Sequence, residues 1–164
     1  MVKQLGYRPA LPTDLAWLVA LRVGTMDAYL TRSGESLTRE DHEARVRQDF
    51  AWIQIVTLSE GALPDRDIGM VKVVQRADHW HLVQIQLLPA EQNSGYGTQV
   101  LRSVIEKANA AGMLLKLSVL KVNPAKHLYE RLGFTVQSES EHSYRMALQP
   151  SGVGRCEVSG GEER

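Results

Sequence analysis

The stretch that most constrains this chain runs from residue 87 to 97, Leu-Leu-Pro-Ala-Glu-Gln-Asn-Ser-Gly-Tyr-Gly. An apolar, strand-like run precedes it and a strongly helical one follows. Gly95 and Gly97 therefore fall where a loop turns into a helix N-terminus. Backbone N–H groups there lack intrahelical acceptors, and the helix dipole favours an anion in front of them. Glycines let that anion approach the main chain. The spacing predicts a phosphate cradle at residues 92–98.

Two familiar cradles are excluded. A P-loop needs Lys and then Ser or Thr after its last glycine, whereas Gly97 is followed by Thr98-Gln99. A dinucleotide fingerprint needs Gly or Ala at position 100, which is Val100, and a turn directly off the strand. What remains is Gln-x-x-Gly-x-Gly at Gln92, Gly95 and Gly97.

The chain has 164 residues, enough for one domain with a sizeable core, expected over 1–149. Formal net charge is +0, which gives no electrostatic reason to expect nucleic acid or an anionic membrane as partner. The single cysteine, Cys156, allows neither an internal disulfide nor a cysteine-based metal cluster, and no metal site is expected. There is no membrane-length apolar run and no signal-peptide start, so a cytoplasmic protein is the default. Residues 150–164, rich in Gly, Ser and Glu, are expected to be a disordered tail.

Periodicity predicts a short edge strand over 4–9, a helix over about 13–30, and a second, charged helix from 36–40 onward that carries Val46 and Phe50 on one side and is expected to lie across the surface. Strands over 52–58, 67–75 and 79–88 are joined by short turns and imply an antiparallel meander. Strict alternation in the third puts His81, Val83, Ile85 and Leu87 on one face, and Leu82, Gln84, Gln86 and Leu88 on the other. A helix over 95–111 and a strand over 113–119 then make a βαβ-like unit with parallel neighbours. Asn123-Pro124 opens a short helix that Gly133 ends, and residues 134–137 and 143–148 form a closing hairpin. The fold class is α/β, with a mixed, mostly antiparallel sheet, flanking helices and a V-shaped cleft between two parallel strands.

A second signature lies at 122–134, where Asn123, Ala125 (shifted by one place), Tyr129, Gly133 and Phe134 follow the pattern Asn-x-x-Ala-x-x-x-Tyr-x-x-x-Gly-Phe. With Gln92, Gly95 and Gly97 in the right order, the chain resembles the GNAT superfamily of N-acetyltransferases over about 5–148, most closely over 82–136. The resemblance implies acetyl-CoA as acyl donor and a small-molecule or peptide amine as acceptor. It implies cofactor contacts from Leu87, Leu88, Gln92, Asn93, Ser94, Gly95, Tyr96, Gly97, Thr98 and Asn123, and makes Tyr129 the acid that protonates the departing thiolate. Dimers are common in that family, so a homodimer is compatible with it.

Two departures from the family pattern stand out. No carboxylate occupies 79–84, where many members carry a base; His81 is the best substitute as proton acceptor, His79 the next, and a water chain without a side-chain base the third. No Arg or Lys precedes the first loop glycine, so Lys126 and Lys121 are the nearby candidates for the nucleotide phosphates. Tyr29, Trp52, Trp80, Asp27 and Glu35 are candidates to line the acceptor side. The alternative function is a non-catalytic acyl-CoA binding or sensing domain of the same fold.

Overall fold

The computed structural model describes residues 2–151; the expected tail beyond that and Cys156 lie outside the described residues. Seven strands form one sheet: β1 (Lys3–Pro9), β2 (Ile53–Glu60), β3 (Arg66–Gln75), β4 (His79–Leu87), β5 (Leu114–Leu120), β6 (Thr135–Glu139) and β7 (Ser143–Leu148), in the order β1-β2-β3-β4-β5-β7-β6. Every neighbouring pair is antiparallel except β4 and β5. Four α-helices accompany it: α1 (Leu15–Arg32), α2 (Arg39–Arg47), α3 (Tyr96–Ala110) and α4 (Ala125–Arg131).

The apolar residues divide into two clusters. Val100, Leu101, Val104 and Ala108 of α3 pack with Leu82, Leu87, Leu115, Leu117 and Tyr129. Leu18, Val19 and Leu21 of α1 and Val46 of α2 pack with Ile53, Ile55 and Met70. Polar side chains fix the helix starts. Asp14 accepts the Leu11 N–H at 2.8 Å and pairs with Arg8, which also reaches Asp67 of β3 at 2.9 Å. Thr38 and Asp41 form a capping box on α2, each side chain accepting the other's N–H.

Three expectations need correction. The second helix does not run on to Phe50: α2 stops at Arg47, Asp49 takes a left-handed φ of 57°, and Phe50–Trp52 is a separate turn of 3-10 helix. The physical cause is Lys72 of β3. Its buried ammonium donates to the carbonyls of Arg45, Val46 and Gln48 and so takes up the helix's free C-terminal acceptors. That helix is also not purely a surface element, because His42 and Val46 are buried.

The third correction concerns β4. Lys72 pairs with Gln84 and Val73 with Leu82, so Val83 has no partner. This β-bulge breaks the expected alternation. Leu82 joins Ile85 and Leu87 against α3, while His81 comes to the same side as Gln84 and Lys72.

Candidate active site

β4 and β5 pair in parallel only from His79–Leu114 to Leu82–Leu117. Beyond that point the strands splay. Between them opens a cavity of about 260 Å³, lined by residues 82–86 of β4, 117–120 of β5, Asn123, Tyr129, Ser143, and Arg22, Met26 and Leu30 of α1, with Glu35 and Arg45 at its helical side. Leu88 donates its N–H to Ile68 at 2.8 Å. Bonded positions alternate along an antiparallel ladder, so Ile85 and Leu87, and not Leu88, turn their backbone groups toward the gap.

The loop after β4 is held from within. Gln92 Nε2 donates to the Leu87 carbonyl at 3.1 Å. Asn93 (φ 64°) and Gly95 (φ 85°) supply the left-handed turns, which Asn and Gly tolerate best. The first bond of α3 runs from the Gln99 N–H to the Gly95 carbonyl, so the amides of residues 93–98 have no acceptor among the described residues. A Cβ built on Gly95 would meet nothing within 4 Å, and one on Gly97 only Leu87 Cδ1 at 3.8 Å. The glycines thus leave open space in front of a row of free donors, which suits a diphosphate. Tyr96 contributes only its amide there, because its ring is buried in the α3 cluster. Ser94 is exposed, and Thr98 lies in the first turn of α3.

Asn123 Oδ1 accepts the Ala125 N–H at 2.9 Å and caps α4, while the residue also lines the cavity. Tyr129 is buried, edge-on to Phe134 at 5.8 Å, and its hydroxyl forms no hydrogen bond among the described residues. Burial alone pushes its phenol up to about 12, so it keeps its proton at neutral pH.

Other expected residues fall elsewhere. Lys126 pairs with Glu130 at 2.9 Å and lies over the Tyr144 ring, and Lys121 pairs with Glu139; neither ammonium is uncommitted. His81 lines a second chamber with Lys72 and Arg76, which shares Arg22, Arg45, Val83 and Gln84 with the cavity. Burial, with His79, Arg76 and Lys116 nearby, holds its pKa below the usual histidine value. Trp52 and Trp80 line a pocket on the α3 side, Tyr29 stacks under Arg32, and Asp27 pairs with buried His42. Only Glu35 of the acceptor-side candidates reaches the cavity. Sequence reading missed Arg22, whose place among the apolar residues of α1 was the available signal.

The family profile described as Acetyltransferase (GNAT) domain matches residues 52–136. This chain belongs to the GNAT acetyltransferase family. The match spans the β2–β4 meander, the glycine loop, α3, β5 and α4, the elements that build the cleft. Solved structures share the fold of this GNAT domain. The PaiA N-acetyltransferase of Thermoplasma acidophilum, in complex with coenzyme A, superposes with a TM-score of 0.66 at 15% identity, covering 89% of this chain and 99% of the other. The ribosomal-protein-S18-alanine N-acetyltransferase of Escherichia coli gives 0.65 at 18% identity, covering 92% and 97%. PH1933 of Pyrococcus horikoshii gives 0.68 at 14% identity, covering 91% and 100%. No curated protein sequence matches the chain. Among the described residues no group of His, Cys, Asp or Glu is placed to hold a metal ion, and no helix is long and apolar enough to cross a membrane.

Proposed function

We propose that this GNAT domain transfers the acetyl group of acetyl-CoA to a primary amine by direct attack. The reading rests above all on one observation. The free amides of residues 93–98 and the unpartnered phenol of Tyr129 belong to the two elements that leave the splayed ends of β4 and β5.

The amides of 93–98 would hold the diphosphate, and Asn123 with the backbone of Ile85 and Leu87 would hold the arm. Acetyl-CoA bound there supplies the acetyl group as a thioester. An N–H of Ile85 or Leu87 directed at the gap would polarise its carbonyl. Tyr129 keeps a proton at its phenolic oxygen and gives it to the sulfur as the carbon–sulfur bond breaks and the carbon–nitrogen bond forms. The amine must attack in its neutral form. As the carbon–nitrogen bond forms, His81, kept neutral by its surroundings, takes the proton that the nitrogen gives up, by way of water from the adjoining chamber; an acceptor that arrives as an ammonium first loses its extra proton to solvent. One proton is given and one is taken, so the reaction balances.

The test is product formation from acetyl-CoA across a panel of primary amines, followed as free thiol, alongside the Gly97→Ala variant. Wild-type protein should acetylate at least one amine. Gly97→Ala should fold as well as wild type or better, since alanine favours a helix by about 1 kcal/mol, and should bind acetyl-CoA at least about 10-fold more weakly. Tight binding without product from any amine would replace this reading with a binding or sensing domain.

A further inference from the structure

The cavity wall carries polar groups that the fold does not use. Arg22, on the inner side of α1, is 4% exposed, and its Nε is buried without a hydrogen-bond partner. Among the described residues no carboxylate pairs with it, and burial and the neighbouring Arg45 together hold its guanidinium at about 10. Glu35 lines the same cavity but forms no ion pair with either arginine among the described residues. Opposite, on β4, Gln84 and Gln86 are 7% and 6% exposed, and the Oε1 atom of each is buried without a donor.

Such groups are costly. An unpaired buried guanidinium and two unpaired amide oxygens each forgo hydration without return. They lie together only because the Val83 bulge turns Gln84 and Gln86 away from α3 and toward α1. The residues around this space of about 260 Å³ thus include a guanidinium whose Nε is unanswered and two amides whose Oε1 is unanswered. A molecule that answers both needs an anionic planar group and N–H donors. A guanidinium matches a carboxylate in bidentate geometry, and amide oxygens match an ammonium or amine.

We infer that the acceptor is a small amine that also carries a carboxylate, such as a free amino acid, with its carboxylate on Arg22 and Arg45 and its amino group against Gln84 and Gln86. This rests on the acetyl-transfer reading for the amine's fate but not for its binding. A bare polyamine or a neutral alkylamine would leave Arg22 unanswered and add positive charge beside it.

The experiment uses the full chain loaded with coenzyme A. Each standard amino acid is paired with its own α-carboxamide, and binding is measured by saturation-transfer NMR and calorimetry. At least one amino acid should bind 10-fold or more tightly than its amide. Arg22→Met should erase that preference while leaving the midpoint of thermal unfolding equal or higher, because it removes an uncompensated charge. A structural arginine would give the opposite shift. Arg22→Lys keeps the charge without the fork; it should fold and show a reduced preference, and it serves should Arg22→Met fail to fold. No preference in any pair, absence of binding included, overturns the inference, as does an undiminished preference in the Arg22→Met or Arg22→Lys protein. A carboxylate preference without acetyl transfer would uphold this site and defeat the transfer reading. Equal transfer to amino acids and their amides would do the reverse.

Discussion

The side chain of Gln92 donates a hydrogen bond to the carbonyl of Leu87, 3.1 Å away, and so ties the glycine loop back to the end of the strand it leaves. The bond sets where the amides of residues 93–98 stand relative to the cleft. Gln92→Ala should weaken acetyl-CoA binding by about 3–10-fold, the worth of one ordinary hydrogen bond. Calorimetry with acetyl-CoA measures it, and the turnover number should change little, because nothing at Tyr129 moves.

Tyr129 has no partner for its hydroxyl among the described residues, so deleting that oxygen removes chemistry without opening a hydrogen-bond deficit. Tyr129→Phe should lower turnover about 100-fold or more, while acetyl-CoA affinity and the unfolding midpoint stay near wild type. With its pKa at about 12, the tyrosine should cause no alkaline fall in rate below about pH 10. Full activity in the phenylalanine variant would remove the acid role.

His81 titrates below the usual histidine value because burial, with His79, Arg76 and Lys116 nearby, disfavours its charged form. Two pH effects should result. As pH falls past 6.5 and through the lowered value, the neutral base is lost, so kcat/KM should drop on an acid limb below about 6.5. Over the same window the unfolded chain binds more protons than the folded one, so stability should fall as the solution is acidified. His81→Gln should flatten both dependences. A pH–rate profile and unfolding curves at pH 5 and 7 measure them.

Lys72 joins β3 to the end of α2 by donating to three carbonyls, and it is 1% exposed. Lys72→Met keeps the volume and strands those acceptors. The variant should lose about 2–4 kcal/mol of stability in urea denaturation. It should also lose activity beyond that, because Arg45, whose carbonyl Lys72 holds, lines the cavity.

Elements with strong local signals were legible in the sequence. The run after Gly95 carries apolar residues at helical spacing, and the structure buries Val100, Leu101, Val104 and Ala108. Asn123 reads as a cap, and in the structure its Oδ1 accepts the N–H of Ala125, the first residue of α4, while Pro124 takes the N-cap position. The parallel β4–β5 pair follows from a strand, a crossover helix and a strand. The less legible features depend on contacts distant in sequence. Nothing within residues 36–50 says that a lysine 25 residues further on will end α2. A bulge at Val83 depends on the register with β3, which alternation within β4 does not encode. For the same reason strict alternation cannot place the residues on either side of Val83 on their actual faces. The pairing of Lys126 with Glu130 is local by contrast, four places along α4, and is open to reading from helix spacing.

Val83 acts as a phase change in β4. Ahead of it and behind it, the same odd-and-even rule assigns residues to opposite sides of the sheet. The bulge absorbs the extra residue; were Val83 instead to pair in register as an ordinary strand residue, strict alternation would turn Gln84 and Gln86 into the apolar layer under α3 and bring Ile85 and Leu87 into the cleft. The polarity of the cleft wall is therefore governed by how one residue of β4 pairs as much as by any side chain.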